Sequence, residues 1–225
     1  MKRPERPSLS PEQVITIIDK AEDEYRIPLA LDATIGLRAS ELSGLRWSDV
    51  SLKGGTCADR SSCPTYPHLH IDGGIQRVNG ALVRTAPKTR RGRRWVPLAD
   101  SAVAMLTKHR REQNERRLLL GQAWTDHDLV IEQGDGGPLD PNLLGKAFMR
   151  AARRARIRGF HFHDLRHYFV TQAVNSDIDA ATVSRMAGHS TVAFTLQVYF
   201  HPSETTAAPL AASVDAALGE ALGRL

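Results

Sequence analysis

Apolar residues recur with helical spacing near both ends of the chain, and with strand-like spacing between them. Ser10, Pro11 and Gln13 form a helix start, because a serine N-cap, a proline at N1 and a glutamine at N3 are typical of a capping box. The helix that follows is predicted over 11–25. Further helices are predicted over 28–34, 39–45, 100–119, 142–158, 164–175 and 180–187.

The segment between 68 and 98 has a different pattern. Residues that favour strands cluster around glycine, asparagine and proline in HLHID, GGIQRVNG, ALVRTAP and RRWVPL. This pattern predicts a small antiparallel sheet of roughly three strands. The predicted fold class is mainly α (α+β): a helical domain that carries one small three-stranded antiparallel sheet.

An apolar stripe marks the C-terminal tail. Leu210, Val214, Leu218 and Leu222 recur at every fourth position, which would place them along one side of a helix. Such a narrow stripe needs a surface to cover. That surface is either on the same chain or on another molecule.

Composition is that of an ordinary globular protein. The chain has 225 residues, of which 41% are hydrophobic and 24% charged, enough to bury a core in one domain or two small ones. No run of 18 apolar residues occurs, and the first residues, MKRPERPSLSPEQ, contain no apolar segment. We therefore expect neither a membrane span nor a secretory signal, and a cytoplasmic location.

Positive charge is unevenly distributed. The net charge is +5, and cations concentrate in 88–94, 108–117 and 146–158. A basic stripe suits a phosphate backbone, although any one of these runs taken alone also describes a solvated helix face.

Cys57 and Cys63 lie in a loop rich in glycine, serine and proline, with His68 and His70 just beyond. Their spacing matches none of the familiar zinc patterns. We expect free thiols in a surface loop, with a disulfide and a metal site as the alternatives.

Several residues suggest chemistry only in combination. His163 and Arg166, in the motif HDLRH, share one face of a helix and could both point at one ligand. Arg38 precedes Glu41 by three residues and by itself indicates only a helical ion pair. Lys88 by itself is an ordinary lysine in a turn, and Tyr199 by itself an ordinary core tyrosine.

Taken in order, four blocks of the sequence resemble the tyrosine recombinase (phage integrase) family. They follow one another with the family's spacing and cover most of the chain outside its tail. The blocks are T-x-G-L-R-x-S-E-L-x-x-L-R-W, K-T-x-x-x-R-x-x-V-P-L, H-D-L-R-H and G-H-S-x-x-x-x-T-x-x-x-Y-x-H.

This resemblance implies a site-specific DNA recombinase that cleaves and rejoins strands through a 3′-phosphotyrosyl intermediate. Tyr199 would be the nucleophile, because strand transfer that keeps the phosphodiester energy needs a covalent ester with the protein. Arg38 and Arg166 would bind the non-bridging oxygens of the phosphate. Lys88 would protonate the departing 5′-oxygen.

The remaining positions of the family pattern would support these residues. His163 and His189 would add hydrogen bonds and handle protons, and Glu41 would buttress the site. No cofactor and no metal are expected, because guanidinium groups supply the charge stabilisation that a divalent ion gives elsewhere. Further contacts to DNA phosphates are expected from Arg90, Arg91, Arg93 and Arg94.

The resemblance also implies an organisation and a partner. The catalytic domain would cover 1–202, and a tail helix over 203–225 would pack on a neighbouring subunit. The family's upstream core-binding domain is expected to be absent. The partner would be double-stranded DNA, bound by a homotetramer joined through the tail, and the chain alone could be a monomer.

Two alternative functions fit parts of the pattern. A type IB topoisomerase uses a similar set of arginine, lysine, histidine and tyrosine but reseals the same strand. A catalytically silent DNA-binding regulator would keep the basic surface without the chemistry. The block GHSTVAFTLQVYFH resembles an integrase more than a topoisomerase, and the filled catalytic positions disfavour the regulator.

Overall fold

The computed structural model describes residues 8–55, 63–87, 92–176 and 179–188. Its helices are α1 (Pro11–Asp19), α2 (Asp23–Ile35), α3 (Ala39–Ser43), α4 (Asp100–Leu120), α5 (Pro141–Arg154), α6 (His163–Asn175) and α7 (Ala180–Ala187). Its strands are β1 (Val50–Ser51), β2 (His68–Ile71), β3 (Gly74–Val78), β4 (Ala81–Thr85) and β5 (Arg94–Pro97). The mainly helical class with a small antiparallel sheet is confirmed.

The predicted capping box at the start of α1 is present. The Oγ atom of Ser10 accepts a hydrogen bond from the backbone N–H of Gln13 at 3.3 Å, and Oε1 of Gln13 accepts one from the N–H of Ser10 at 2.9 Å. This reciprocal pair satisfies two N–H groups that a helix start otherwise leaves without partners.

The boundary between the first two helices differs from the prediction. α1 ends at Asp19 rather than at 25, and α2 begins five residues before Pro28, which therefore lies inside the helix. A proline removes one N–H from the helical ladder. Tyr25, Pro28 and Leu29 are all buried, so burial of this face offsets the missing hydrogen bond.

The strands form two separate units. One sheet has the order β1-β2-β5, antiparallel throughout, with Leu69 opposite both Val50 and Val96. β3 and β4 form a hairpin of their own, closed by Asn79 and Gly80 with φ angles of 48° and 85°. β1 was not predicted, because two residues are too short for strand periodicity to show.

α5 ends earlier than predicted. The sequence pattern continues to Arg158 with Gly159 as the closing residue, but the helix stops at Arg154. Arg156 takes a φ of 59°, which ends the helical ladder, and the N–H of Ile157 reaches back to the carbonyl of Ala152 at 2.9 Å. The short connection that follows leads directly into α6.

One continuous core joins the helices to the three-stranded sheet. It includes Leu29 of α2, Leu42 of α3, Leu69 of β2, Phe148 of α5 and Leu165 of α6. No helix among the described residues is long and apolar enough to cross a membrane.

The end of α2 determines where the chain goes next. Gly36 closes the helix with a φ of 67°, and its N–H donates to the carbonyl of Asp32 at 2.8 Å. A Cβ atom at Gly36 would lie 2.4 Å from Cδ1 of Phe169 on α6. Glycine is therefore required both for the left-handed backbone and for the close approach of α6.

We predict that Gly36→Ala lowers the free energy of unfolding by more than about 2 kcal/mol, because strain at positive φ and a clash with Phe169 add together. Gly80→Ala is the matched control, since Gly80 also has positive φ but nothing within 4 Å of its added Cβ. It should cost only about 1 kcal/mol. Urea denaturation of both variants measures the difference, and equal losses would contradict the clash.

Candidate active site

The structure describes part of the predicted site. Arg38, Glu41, His163 and Arg166 lie within the described residues, as do Arg93 and Arg94. The other predicted positions lie outside them, namely Lys88, Arg90, Arg91, His189 and Tyr199.

Arg38 stands at the entry to α3 and is held there by Glu41. Its Nη1 donates to Oε1 of Glu41 at 2.7 Å, and its backbone N–H donates to Oε2 at 3.0 Å. The helical ion pair that the spacing indicates is therefore present. Yet the Arg38 side chain remains 42% exposed, so its guanidinium can also reach a ligand.

Glu41 is a buried carboxylate between two guanidinium groups. It is only 8% exposed, and it accepts from Arg94 as well as from Arg38. Burial by itself would raise the pKa of Glu41, but the hydrogen bonds and charges of Arg94 and Arg38 outweigh burial and lower this pKa to about 2. Glu41 is thus charged throughout the physiological range.

His163 and Arg166 come from the first two turns of α6. Asp164 stabilises this helix start, because its Oδ2 accepts from the backbone N–H of His161 at 2.6 Å. Leu165 points into the core, whereas His163 is exposed and Arg166 is only 3% exposed. The two residues therefore share one face of α6, as the spacing predicts, but differ in exposure.

The pKa values of both residues are lowered. Desolvation, together with the positive charge of His167 and Arg166, lowers the pKa of His163 to about 4, so its imidazole is neutral at pH 7. The rings of His163 and His167 meet edge to face, with centroids 4.9 Å apart. Burial and the nearby Arg38 lower the pKa of Arg166 to about 10, which leaves its guanidinium charged.

Three arginines converge on the carboxyl end of α7. Arg94 Nε donates to the carbonyl of Met186 at 2.7 Å, Arg166 Nη2 donates to that of Ala187, and Arg38 Nη2 donates to that of Gly188 at 2.6 Å. The last carbonyls of a helix have no partner within it and carry partial negative charge. Cations therefore satisfy three consecutive carbonyls. We call Arg38, Arg94 and Arg166 the arginine cluster.

The arginine contacts reach Gly188, the last described residue before His189. Gly188 ends α7 with a φ of 64°, and the next residue in the sequence is His189. Arg166 Nη1 also donates to the carbonyl of Gly36 at 2.6 Å, which ties the end of α2 to the end of α7. The backbone that leads to His189 is thus fixed by the residues predicted to bind phosphate.

Arg94 does not fit the role predicted for it. We expected a surface contact to DNA phosphate, but Arg94 is 5% exposed and bonds to Glu41, Gly92 and Met186. Its neighbour Arg93 is exposed, as such a contact requires. The two were indistinguishable by sequence because they are consecutive arginines, and only the pairing of β5 with β2 decides which one points inward.

Asp32 is a buried acid that the sequence analysis missed. It lies on α2 with 0% exposure, and the backbone N–H of Leu37 lies near its carboxyl group. Desolvation raises its pKa well above the usual value, opposed by the charge of Arg166 and assisted by that of Glu41. Its place inside an otherwise apolar helical face, LALDATI, was the available signal.

A second group of titratable residues lies at the three-stranded sheet. Possible ligand atoms of Asp49, His70 and Asp72 lie within 4.8 Å of one another. Arg84 Nη2 bonds to Oδ1 of Asp72 at 2.5 Å and lies 3.8 Å from Oδ2 of Asp49. Since a guanidinium already supplies positive charge there, we interpret this group as an ion-pair cluster that joins β2 to β4.

The cysteine prediction is corrected. Cys63 is disulfide-bonded, whereas we expected free thiols in this loop. Cys57 lies outside the described residues. The Sγ atom of Cys63 lies 3.6 Å from Nε2 of His68, whose Nδ1 lies 2.7 Å from the carbonyl of Tyr66. Sequence spacing could not indicate the bond, because pairing depends on how the loop folds back.

Comparison with known proteins assigns the class. Residues 65–206 match the sequence profile of the Phage integrase family. The chain is 31% identical to an integrase of Streptomyces ambofaciens over 203 residues, which is 88% of this chain and 50% of that protein. It is 33% identical to tyrosine recombinase XerC of Bacillus licheniformis over 75% of this chain and 46% of that protein. The chain belongs to the phage integrase family and spans about half the length of these relatives.

Solved structures show the same fold. The Tn1549 transposon integrase, in complex with a circular intermediate DNA, superposes with a TM-score of 0.72 at 17% identity and covers 95% of this chain and 67% of that one. XerA recombinase superposes with a TM-score of 0.63 at 21% identity, over 94% of this chain and 65% of that one.

We predict that Asp32→Asn changes how stability depends on pH. The pKa of Asp32 is raised in the folded chain, so folding takes up a proton, and stability falls as pH rises above the ordinary range of an aspartate. Asparagine cannot ionise. The free energy of unfolding of Asp32→Asn, relative to wild type, should therefore increase between pH 5 and 8 by more than about 1 kcal/mol.

Asp19→Asn is the control for this prediction, because it makes the same substitution at an exposed residue of α1. Thermal unfolding of the three proteins across that pH range provides the measurement. Parallel curves for wild type and Asp32→Asn would show that Asp32 is ionised in the folded chain.

Proposed function

We propose that this chain is the catalytic domain of a site-specific DNA recombinase that cleaves and rejoins DNA through a phosphotyrosyl intermediate. The observation that carries the proposal is the arginine cluster together with His163, beside the backbone that leads to His189. Three guanidiniums and one carboxylate, Glu41, leave a charge of +2 in this cluster, which suits a phosphate and the additional charge of its transition state.

The proposed reaction is a reversible exchange of phosphate esters. The phenolic oxygen of Tyr199 attacks phosphorus, and the bond from phosphorus to the 5′-oxygen breaks. The phenol proton passes to a neutral imidazole, that of His163 or His189, and Lys88 gives a proton to the departing oxygen. A 5′-hydroxyl of a partner strand then attacks the phosphotyrosine and restores both the backbone and the tyrosine.

Two of the three arginines, Arg38 and Arg166, retain donors for the phosphate. Arg38 and Arg166 use Nη1 and Nη2 for the protein contacts described above, and a guanidinium has five N–H groups in all. Arg38, which is exposed, would meet the phosphate first, and Arg166 would form the floor of the site. Arg93 and the hairpin arginines Arg90 and Arg91 would contact neighbouring phosphates.

The partner we propose is double-stranded DNA, and the setting is the cytoplasm, where a mobile element meets the chromosome. Several related proteins were solved on DNA, among them the Tn1549 integrase and a lambda integrase dimer on a core site. Family membership and the basic runs of this chain support the same partner here.

We further propose that the chain assembles on DNA as a homotetramer through its tail. An apolar groove of about 410 Å³ lies between α1, α2 and α6, and the 60% exposed Ile15 contributes to it. The tail residues 203–225, with an apolar residue at every fourth position, lie outside the described residues and match this groove in chemistry. A neighbouring copy's tail would occupy the groove.

We predict that the wild-type chain forms a covalent adduct with nicked suicide DNA drawn from the sequences flanking its gene, and that Tyr199→Phe forms none. The phenyl ring lacks the attacking oxygen. Denaturing gels measure the adduct, and Tyr66→Phe, the same change at an exposed tyrosine outside both the cluster and the groove, should leave it intact.

Other results would favour the other functions. Plasmid relaxation without strand exchange would indicate a type IB topoisomerase. DNA binding by wild type with no adduct would indicate a catalytically silent DNA-binding regulator.

We predict that deletion of residues 206–225 lowers the mass of the DNA-bound assembly from a multimer toward a monomer, because the groove loses its occupant. Ile15→Asp should have the same effect, since a charge would be desolvated in an apolar groove. Leu119→Asp serves as the control, because Leu119 is exposed on α4 away from the groove. Light scattering measures the mass, and unchanged assembly after deletion would refute the tail contact.

A further inference from the structure

Arg94 is the most fully bonded member of the arginine cluster. Its Nε donates to Met186, its Nη1 donates to Oε1 of Glu41 at 3.2 Å and to the carbonyl of Gly92 at 3.2 Å, and its Nη2 donates to Oε2 of Glu41 at 2.8 Å. Four of the five N–H groups of a guanidinium are thus used. The Arg94 side chain is 2% exposed, so it has no surface with which to touch a DNA phosphate.

These bonds join three parts of the fold. Arg94 belongs to β5, where it lies opposite Ile71 of β2, Glu41 belongs to α3, and Met186 belongs to the end of α7. A Cβ atom at Gly188 would lie 2.8 Å from Nη1 of Arg94, which shows how closely the turn after α7 packs on the guanidinium. Moving Arg94 would therefore disturb both α3 and this turn.

We propose that Arg94 is a positioning residue for DNA strand cleavage, which acts through Glu41 on Arg38 and through the Met186 carbonyl on the turn that leads to His189. The inference rests on the proposed function, since it assigns Arg94 a part in that reaction. It differs from the expectation stated above, in which Arg94 was one of four candidates for phosphate contact.

The mechanism depends on the charge of Glu41. The charged groups that face Glu41 are Arg38, Arg94, Arg166 and the buried Asp32. Arg94 gives the largest of the contributions that oppose the desolvation of Glu41. Without Arg94 the largest contribution that opposes burial is lost and the pKa of Glu41 rises, so the carboxylate that anchors Arg38 loses its charge at a higher pH than in wild type.

The test compares Arg94→Gln, Arg94→Lys and wild type in two assays at several pH values. The first assay is the affinity for tungstate, a phosphate mimic, by calorimetry, which needs no strand cleavage. The second is the rate of adduct formation on suicide DNA. Arg26→Gln is the control, because it removes a half-exposed guanidinium of α2 that takes no part in the site.

For Arg94→Gln we expect tungstate affinity and adduct rate to fall at least about tenfold at pH 7.5, since small displacements of binding groups cost this much. The loss should deepen between pH 7 and 5, whereas wild type and Arg26→Gln should keep a flat profile. Arg94→Lys keeps the charge but cannot bond Glu41 and Met186 at the same time. Its tungstate affinity and adduct rate should therefore lie between those of Arg94→Gln and wild type.

Combining Arg94→Gln with Glu41→Gln separates positioning from mere stability. The double variant has no carboxylate to titrate, so the additional acid loss should disappear. If Arg94→Gln simply weakened the fold, its melting temperature would fall while the pH profile of the folded fraction stayed parallel to wild type, and the inference would be overturned.

The two proposals fail in different ways. If wild type forms no adduct, the proposed function fails, while tungstate affinity still decides whether Arg94 sets the position of Arg38. If wild type forms an adduct and tungstate binding by Arg94→Gln matches wild type at every pH, the positioning role fails and the recombinase remains.

Discussion

The site depends on the capping of one short helix by cations. α7 has only eight residues, and the carbonyl groups of its last two residues and of Gly188 accept hydrogen bonds from guanidiniums at the start of α3, on β5 and on α6. A helix this short has little stability of its own, so these contacts to its negative end fix where it stops. In return, the partial negative charge on these carbonyl oxygens offsets the repulsion among the three guanidinium groups.

The three guanidinium groups of the arginine cluster repel one another, and the negative charge of Glu41 offsets part of this repulsion. A single buried carboxylate bonds both Arg38 and Arg94 and remains charged because they surround it. The lowered pKa of Arg166 shows that repulsion and burial persist nonetheless. Breaking either side of this network would leave an uncompensated buried charge, which costs far more than an exposed ion pair.

The remaining positive charge explains how the site could work on phosphate. Asp32 lies close enough to interact with both Arg166 and Glu41, and burial raises its pKa well above the usual value, which disfavours a second carboxylate charge beside the cationic cluster. Neutral His163 adds a group that can accept or donate a hydrogen bond without adding repulsion. A phosphate would therefore meet preorganised donors and a net positive charge in a partly desolvated site.

The sequence by itself determined the class of fold and the family. Capping boxes and helical periodicity are local properties, and the four motifs keep their order along the chain, so no tertiary information is needed to read them. The tertiary structure alone decided that Arg94 points inward while Arg93 faces solvent, that burial raises the pKa of Asp32, and that Cys63 is disulfide-bonded. Each of these depends on contacts between segments far apart in the chain, which set burial and charge at a position and which no local pattern encodes.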